Sequence, residues 1–184
     1  MYPKISVIIP AYNRFGTLAY AIESALVQTI PIHELIIIDD GSQDETPVMV
    51  PRMIEEEPRW RGRVRYFRQE NRGQSAALNK GIELVSGEWI AFNANDDMWL
   101  PWKLEWQFRA LEKFKDTCEL CFTDAWFMNN PHMKDSLFKF KLFKMRQGAL
   151  FGMVEDPARL IASNRHPVWV QTCVAPTNKI RKIG

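Results

Sequence analysis

The sequence predicts an α/β domain with a mostly parallel central sheet flanked by helices. Short apolar, β-branched runs alternate with stretches of helical periodicity over the first two-thirds of the chain, the pattern of successive βαβ units. Several of these runs stop at a polar cluster, which is where open α/β sheets hold their ligands. No internal repeat or low-complexity linker competes with that reading.

The elements follow in order. Residues 5–9 (ISVII) are a β-branched run closed by Pro10 and read as a buried strand. Leu18, Ile22, Ala25 and Leu26 recur at helical spacing within 15–29. Residues 34–38 (ELIII) form a second strand, stopped by Asp39-Asp40-Gly41-Ser42. Residues 44–57 read as a helix whose Pro47 and Pro51 mark a broken or late start. RVRYFR (63–68) alternates and reads as a third strand. Residues 74–86 form a helix closed by Gly87, and EWIAF (88–92) a fourth strand that runs into Asn93-Ala94-Asn95-Asp96-Asp97. Pro101 opens a helix to about Lys115, in which Trp102 and Trp106 are expected to pack on the sheet. CELCFTD (118–124) is a fifth strand; Cys118 and Cys121 lie within it and read as core packing rather than a redox pair. Beyond residue 131 the pattern weakens.

Composition sets outer limits. The 184 residues are 46% hydrophobic and 25% charged, which suits one domain and excludes disordered and fibrous classes. No stretch approaches the roughly 18 consecutive apolar residues of a membrane span. The N-terminal apolar run is cut by Pro10, so no signal peptide is expected there. Three cysteines do not make a disulfide framework, and a cytoplasmic setting is expected. A net charge of +2 does not argue for nucleic acid, and none is expected as a partner. The charge is uneven: residues 1–131 carry 14 Lys/Arg against 19 Asp/Glu, and residues 132–184 carry 10 against 3. A basic end on an acidic body fits either a solvated face or an anionic partner.

Two of the strand-end clusters are carboxylate pairs. Such a pair is costly unless a cation or hydrogen-bond donors neutralise it, and hard oxygen donors favour Mg²⁺ or Mn²⁺. Asp39 is expected to cap the turn that follows it, and Asp96 to hold the metal.

VIIPAYNR (7–14), ELIIIDDGSQDET (34–46), RYFRQENRGQSAALNKGI (65–82) and GEWIAFNANDDMWLPWKLE (87–105) together resemble glycosyltransferase family 2, an inverting, nucleotide-sugar-dependent family with the GT-A (nucleotide-diphospho-sugar transferase) fold. The blocks come in the family's order and spacing. The resemblance implies a donor-binding core at 1–131 and a basic, incomplete acceptor-side segment of the same domain at 132–184.

It also implies roles for single residues. Pro10, Ala11 and Tyr12 face the nucleobase, with Tyr12 able to stack on it. Asp40 accepts the base N3–H, which favours uracil. Arg72 and Gly73 belong to the loop beside base and ribose. The family's common Asp-Ala-Asp-Asp is Ala94-Asn95-Asp96-Asp97 here, so the first acidic position is Ala94. Asn95 faces the ribose, Asp96 matches the metal-coordinating carboxylate, and Asp97 is expected to cap the helix near Pro101. The reaction implied moves a sugar from a nucleotide-diphosphate donor, a UDP-sugar, to a hydroxyl of a polysaccharide or lipid-linked glycan, with Mn²⁺ or Mg²⁺ assisting.

The base is the difficulty. The family usually draws it from an acidic motif beyond a segment resembling VAPTNKIRKIG, where this chain stops, so the chain is expected to be truncated. Asp124, Glu155 and Asp156 are weak candidates, and a non-catalytic nucleotide-sugar-binding domain is the alternative. Trp99 and His166 are expected to contact sugar or acceptor. Residues 134–146, from Lys134 to Arg146, fit either a half-buried strand or an interfacial segment, the latter placing the chain peripherally at the inner face of a membrane.

Overall fold

The computed structural model describes residues 2–116, 119–123 and 170–183. Its elements are β1 (Ile5–Ala11), α1 (Phe15–Leu26), β2 (Glu34–Asp39), α2 (Thr46–Glu56), β3 (Val64–Arg68), α3 (Gln74–Leu84), β4 (Trp89–Phe92), α4 (Lys103–Lys113), β5 (Cys121–Phe122), a 3₁₀ turn (Val170–Thr172), β6 (Cys173–Pro176) and α5 (Thr177–Ile183). They build one six-stranded sheet in the order β3-β2-β1-β4-β6-β5.

Strands β3, β2, β1 and β4 are mutually parallel, with Ile9 opposite Ile37, Ile37 opposite Tyr66, and Ile8 opposite Phe92. β1 and β2 are buried along their whole length, as continuous β-branched runs require when helices cover both faces. The alternation of side chains divides the core in two. Ile5, Val7, Ile9, Leu35 and Ile37 face α1 and α4 through Leu18, Ile22, Leu104 and Leu111. Ile8, Ile36, Ile38, Ile90 and Phe92 face α3 through Ala77. Each of these large side chains contributes about 1.5–3 kcal/mol by leaving water.

β6, with the 3₁₀ turn before it and α5 after it, is a part the sequence pattern did not show. It enters antiparallel between β4 and β5, pairing Trp89 with Pro176, Ala91 with Val174 and Phe122 with Cys173. Cys121 packs in the first half of the core and Cys173 in the second, so the two thiols lie on opposite faces of the sheet. Cys118 lies outside the described residues. The fifth strand is shorter than expected, with only Cys121 and Phe122 in it. Of the broken or late start expected for α2, the structure has the late one: the helix begins at Thr46 with Pro47 in its first turn and runs unbroken through Pro51. Pro51 stands at the middle of the helix, where it offers no N–H to the Pro47 carbonyl one turn back.

The amino-terminal end of the sheet is closed by a polar cluster around Glu34. This carboxylate is 6% exposed and accepts from the Ser6 hydroxyl at 2.8 Å, from the Ser86 N–H and hydroxyl at 2.6 and 2.7 Å, and from Arg65 at 2.9 Å. Burial alone would raise its pKa, but these donors outweigh that and bring it to about 2.

Candidate functional site

The opposite, carboxyl-terminal end carries the polar clusters. β2, β1 and β4 are neighbours there, so the segments after Ala11, Asp39 and Phe92 converge.

The turn after β2 is built by Asp39, which is fully buried. Its Oδ1 accepts the Ser42 N–H at 2.8 Å, the turn-capping role expected of it. Its Oδ2 accepts the Tyr66 hydroxyl and lies 3.5 Å from Arg68 Nε. Burial, then the Asp39 hydrogen bond, drive the Tyr66 pKa upward. Ser42 Oγ accepts the Asn13 N–H at 3.1 Å, and Asn13 Oδ1 accepts the Gln43 N–H at 2.7 Å. Asp44 joins two helix starts by accepting from the Phe15 and Thr46 N–H groups, both at 3.0 Å. The loops after β1 and β2 are thus tied together, with Pro10 and Ala11 buried and the Tyr12 ring 44% exposed at the surface.

Asp40 is 4% exposed, and its carboxylate is surrounded by the loop that follows β3. Oδ1 accepts Gln69 Nε2 at 2.8 Å and the Arg72 N–H at 2.9 Å; Oδ2 accepts the Gly73 N–H at 2.7 Å. Burial pushes its pKa up, and these three donors more than reverse that, so the group is held ionised below the usual carboxylate range. Two glycines permit the arrangement. Gly41 sits at φ 79°, and a Cβ there would lie 2.9 Å from the Asn71 backbone nitrogen. Gly73 turns the loop into α3 at φ 87°. The Arg72 side chain is exposed above this loop.

The third cluster is the turn after β4. The Asn95 carbonyl accepts the Thr17 hydroxyl at 2.9 Å, which pins the turn to α1. Asp96 is exposed and Asp97 half-buried. Burial, and then the adjacent Asp96 charge, raise the Asp97 pKa, while the Gln171 side chain, brought there by the turn into β6, lowers it. Asp97 does not cap α4, as had been expected: the helix starts at Lys103 and has no side-chain cap bond.

This donor set fits a divalent cation. The adjacent Asp96 charge disfavours ionisation of Asp97, a cost that a cation relieves, and the hard oxygens of the pair suit Mn²⁺ or Mg²⁺. No group of three or more His, Cys, Asp or Glu side chains placed to hold a metal ion occurs among the described residues. The described residues therefore offer few ligands, and a cation here would complete its shell from other oxygens, those of a diphosphate and of water among them.

Trp99 is a correction. Expected to present a face to sugar, it is 7% exposed and packs in the core, its backbone N–H donating to Ser24 Oγ at 3.1 Å. Lys103 Nζ lies 4.0 Å from its ring centroid. Trp102, expected on the sheet, is instead 48% exposed. Lys103 itself is 8% exposed, donates to Gln107 Oε1 at 3.0 Å, and is brought by burial to a pKa of about 7. Gln107 donates onward to the Thr172 carbonyl at 2.8 Å and so ties α4 to the head of β6.

Sequence reasoning missed Gln69 and Gln171, which are brought to Asp40 and Asp97 by folding alone. Asp124, Glu155, Asp156, His166 and the 134–146 segment lie outside the described residues.

The chain resembles known proteins along most of its length. A family model described as glycosyl transferase family 2 matches residues 6–162. An uncharacterized glycosyltransferase of Rickettsia felis is 41% identical over 60% of this chain and 17% of its own length. The uncharacterized glycosyltransferase YibD of Escherichia coli K12 is 34% identical over 91% of this chain and 47% of its own. The chain thus spans less than half the length of these curated relatives. Among solved structures, S. aureus TarS 1-349 in complex with UDP-GlcNAc superposes with a TM-score of 0.71 at 18% identity, covering 98% of this chain and 47% of that one, a likeness of fold. The mannosyltransferase PcManGT of Pyrobaculum calidifontis, in complex with GDP-Man and Mn²⁺, gives 0.56 at 26% identity over 65% of this chain and 35% of that one.

Proposed function

This chain belongs to glycosyltransferase family 2, and from that membership we propose that it binds a UDP-sugar at the carboxyl ends of β1, β2 and β4 and serves its transfer to a hydroxyl of a polysaccharide or lipid-linked glycan. The observation that carries the reading is the convergence, on three neighbouring strands, of an exposed aromatic ring at Tyr12, a buried ionised carboxylate at Asp40 and an acidic pair at Asp96 and Asp97.

In this reading the base stacks on Tyr12 and directs an N–H at Asp40. Pro10 and Ala11 form the floor, Arg72 and Gly73 flank base and ribose, and Asn95 meets the ribose. Asp96 would hold Mn²⁺ or Mg²⁺, which supplies electrostatic compensation for charge developing on the diphosphate leaving group. Inversion would follow from in-line attack by the acceptor hydroxyl on the face opposite the diphosphate, with a carboxylate taking its proton. Asp124, Glu155 and Asp156 stand as the chain's own candidates for that proton acceptor. His166 is proposed to lie near the acceptor, and the basic 134–146 segment to meet an anionic membrane surface at the cytoplasmic face. No helix among the described residues is long and apolar enough to cross a membrane.

A second reading, donor binding without transfer, is favoured by one feature: Ala94 and Asn95 stand where the family's common motif has Asp and Ala, so the site carries one carboxylate fewer. Calorimetric titration with UDP, with and without Mn²⁺, tests the donor site. Binding that needs Mn²⁺ and is lost in Asp96→Ala supports it; binding of no nucleotide diphosphate refutes it. Sugar release or transfer by the same protein then separates the two readings.

A further inference from the structure

We propose that Gln69 sets which nucleobase the site accepts, by occupying one oxygen of Asp40 and leaving a single acceptor position for the base. The proposal rests on the donor-site reading above and goes on to the class of nucleotide that site takes.

An ionised carboxylate offers about four lone-pair positions. In Asp40 three are filled: two on Oδ1, by Gln69 Nε2 at 2.8 Å and the Arg72 N–H at 2.9 Å, and one on Oδ2, by the Gly73 N–H at 2.7 Å. Two of the donors are backbone groups that substitutions other than to proline retain. Gln69 is the side-chain donor, extended to Asp40 from the end of β3, where its own N–H bonds the Asp39 carbonyl at 2.9 Å.

One open position matches one donor. Uracil presents a single ring N–H between two carbonyls. Guanine presents a ring N–H beside an exocyclic amine, two parallel donors that ask for both carboxylate oxygens. With Oδ1 filled, one of guanine's donors goes unpaired in a buried place, which is costly. Adenine and cytosine turn a ring-nitrogen lone pair toward a carboxylate that has no proton to give. The count therefore selects uracil, and Gln69 is what excludes guanine. A residue that merely braced the loop would affect all nucleotides alike, so the ratio of affinities separates selectivity from support.

The test titrates the whole chain and its Gln69→Leu and Gln69→Lys variants with UDP and with GDP in the presence of Mn²⁺, alongside thermal melts. The wild type is expected to prefer UDP. In Gln69→Leu the UDP-over-GDP ratio is expected to fall roughly ten-fold or more, through tighter GDP binding, and the donor returned in Gln69→Lys to restore the preference. An unchanged ratio in Gln69→Leu overturns the proposal, including the case where both nucleotides weaken together as Tm falls. A wild type that prefers GDP overturns it while leaving the donor site standing. A wild type that binds neither overturns both.

Discussion

Ser86 gives both its backbone N–H and its hydroxyl to the same oxygen of Glu34, at 2.6 and 2.7 Å, across 52 residues of sequence. The carboxylate they hold is stabilised only while ionised. Its folded pKa of about 2 lies below the ordinary 4.5, so its contribution is fully present above pH 4.5 and is lost as pH falls toward 2. Chemical denaturation at pH 6 and pH 3 should show the larger part of the loss, about 2 kcal/mol of a total of about 3. Glu34→Gln should be less stable at neutral pH and show a flatter acid slope; equal slopes would remove Glu34 from the account.

Lys103 works in the other direction. Its folded pKa of about 7 lies below the ordinary 10.5, so between those values the unfolded chain binds the extra proton and stability rises with pH. Lys103→Met should raise stability by about 1–4 kcal/mol near pH 6 and abolish the rise toward pH 9. Denaturant midpoints at the two pH values measure it. A destabilised variant with the slope intact would mean the ammonium is well accommodated.

Gly41→Ala places a methyl 2.9 Å from the Asn71 backbone nitrogen at a φ of 79°. The expected cost is about 1–3 kcal/mol. Because Asn71 precedes the two backbone donors to Asp40, UDP affinity should fall by more than the loss of folded protein accounts for. Melting and calorimetry on the same samples compare the two, and a fall in Tm alone would uncouple this turn from binding.

Tyr12→Ala should weaken UDP roughly ten-fold through lost stacking. The ring is 44% exposed, so Tm should barely move. Binding that matches the wild type would take the base elsewhere.

The first four strands and four helices were legible because buried parallel strands read as unbroken apolar runs and their helices carry a clear period. Ile5–Ile9 and Leu35–Ile38 are visible by composition alone. β6 was not: four residues ending in Pro176 make too short a run, and their place beside β4 depends on pairing across the chain. At the site, Asp39 was readable as a turn cap because its partner is three residues away. The donors to Asp40 come from about thirty residues on, so its engagement with Gln69 could not be seen. Trp99 misled because proximity to Asp96 in sequence does not fix direction; Ser24 turns the backbone at Trp99 inward, and Gln28 holds the Leu100 carbonyl at 2.8 Å. Asp97 misled because α4 begins later than Pro101 suggested.

The antiparallel insertion of β6 has a consequence for synthesis. β4 is finished at Phe92, but the strand that covers its far edge is complete only at Pro176. At a ribosomal rate of about 5–20 residues per second, that edge waits roughly 4–17 s for its partner. During that interval a nascent chain already holding its strand-end turns would expose an unpaired strand, a period in which a chaperone or a neighbouring nascent chain could bind first.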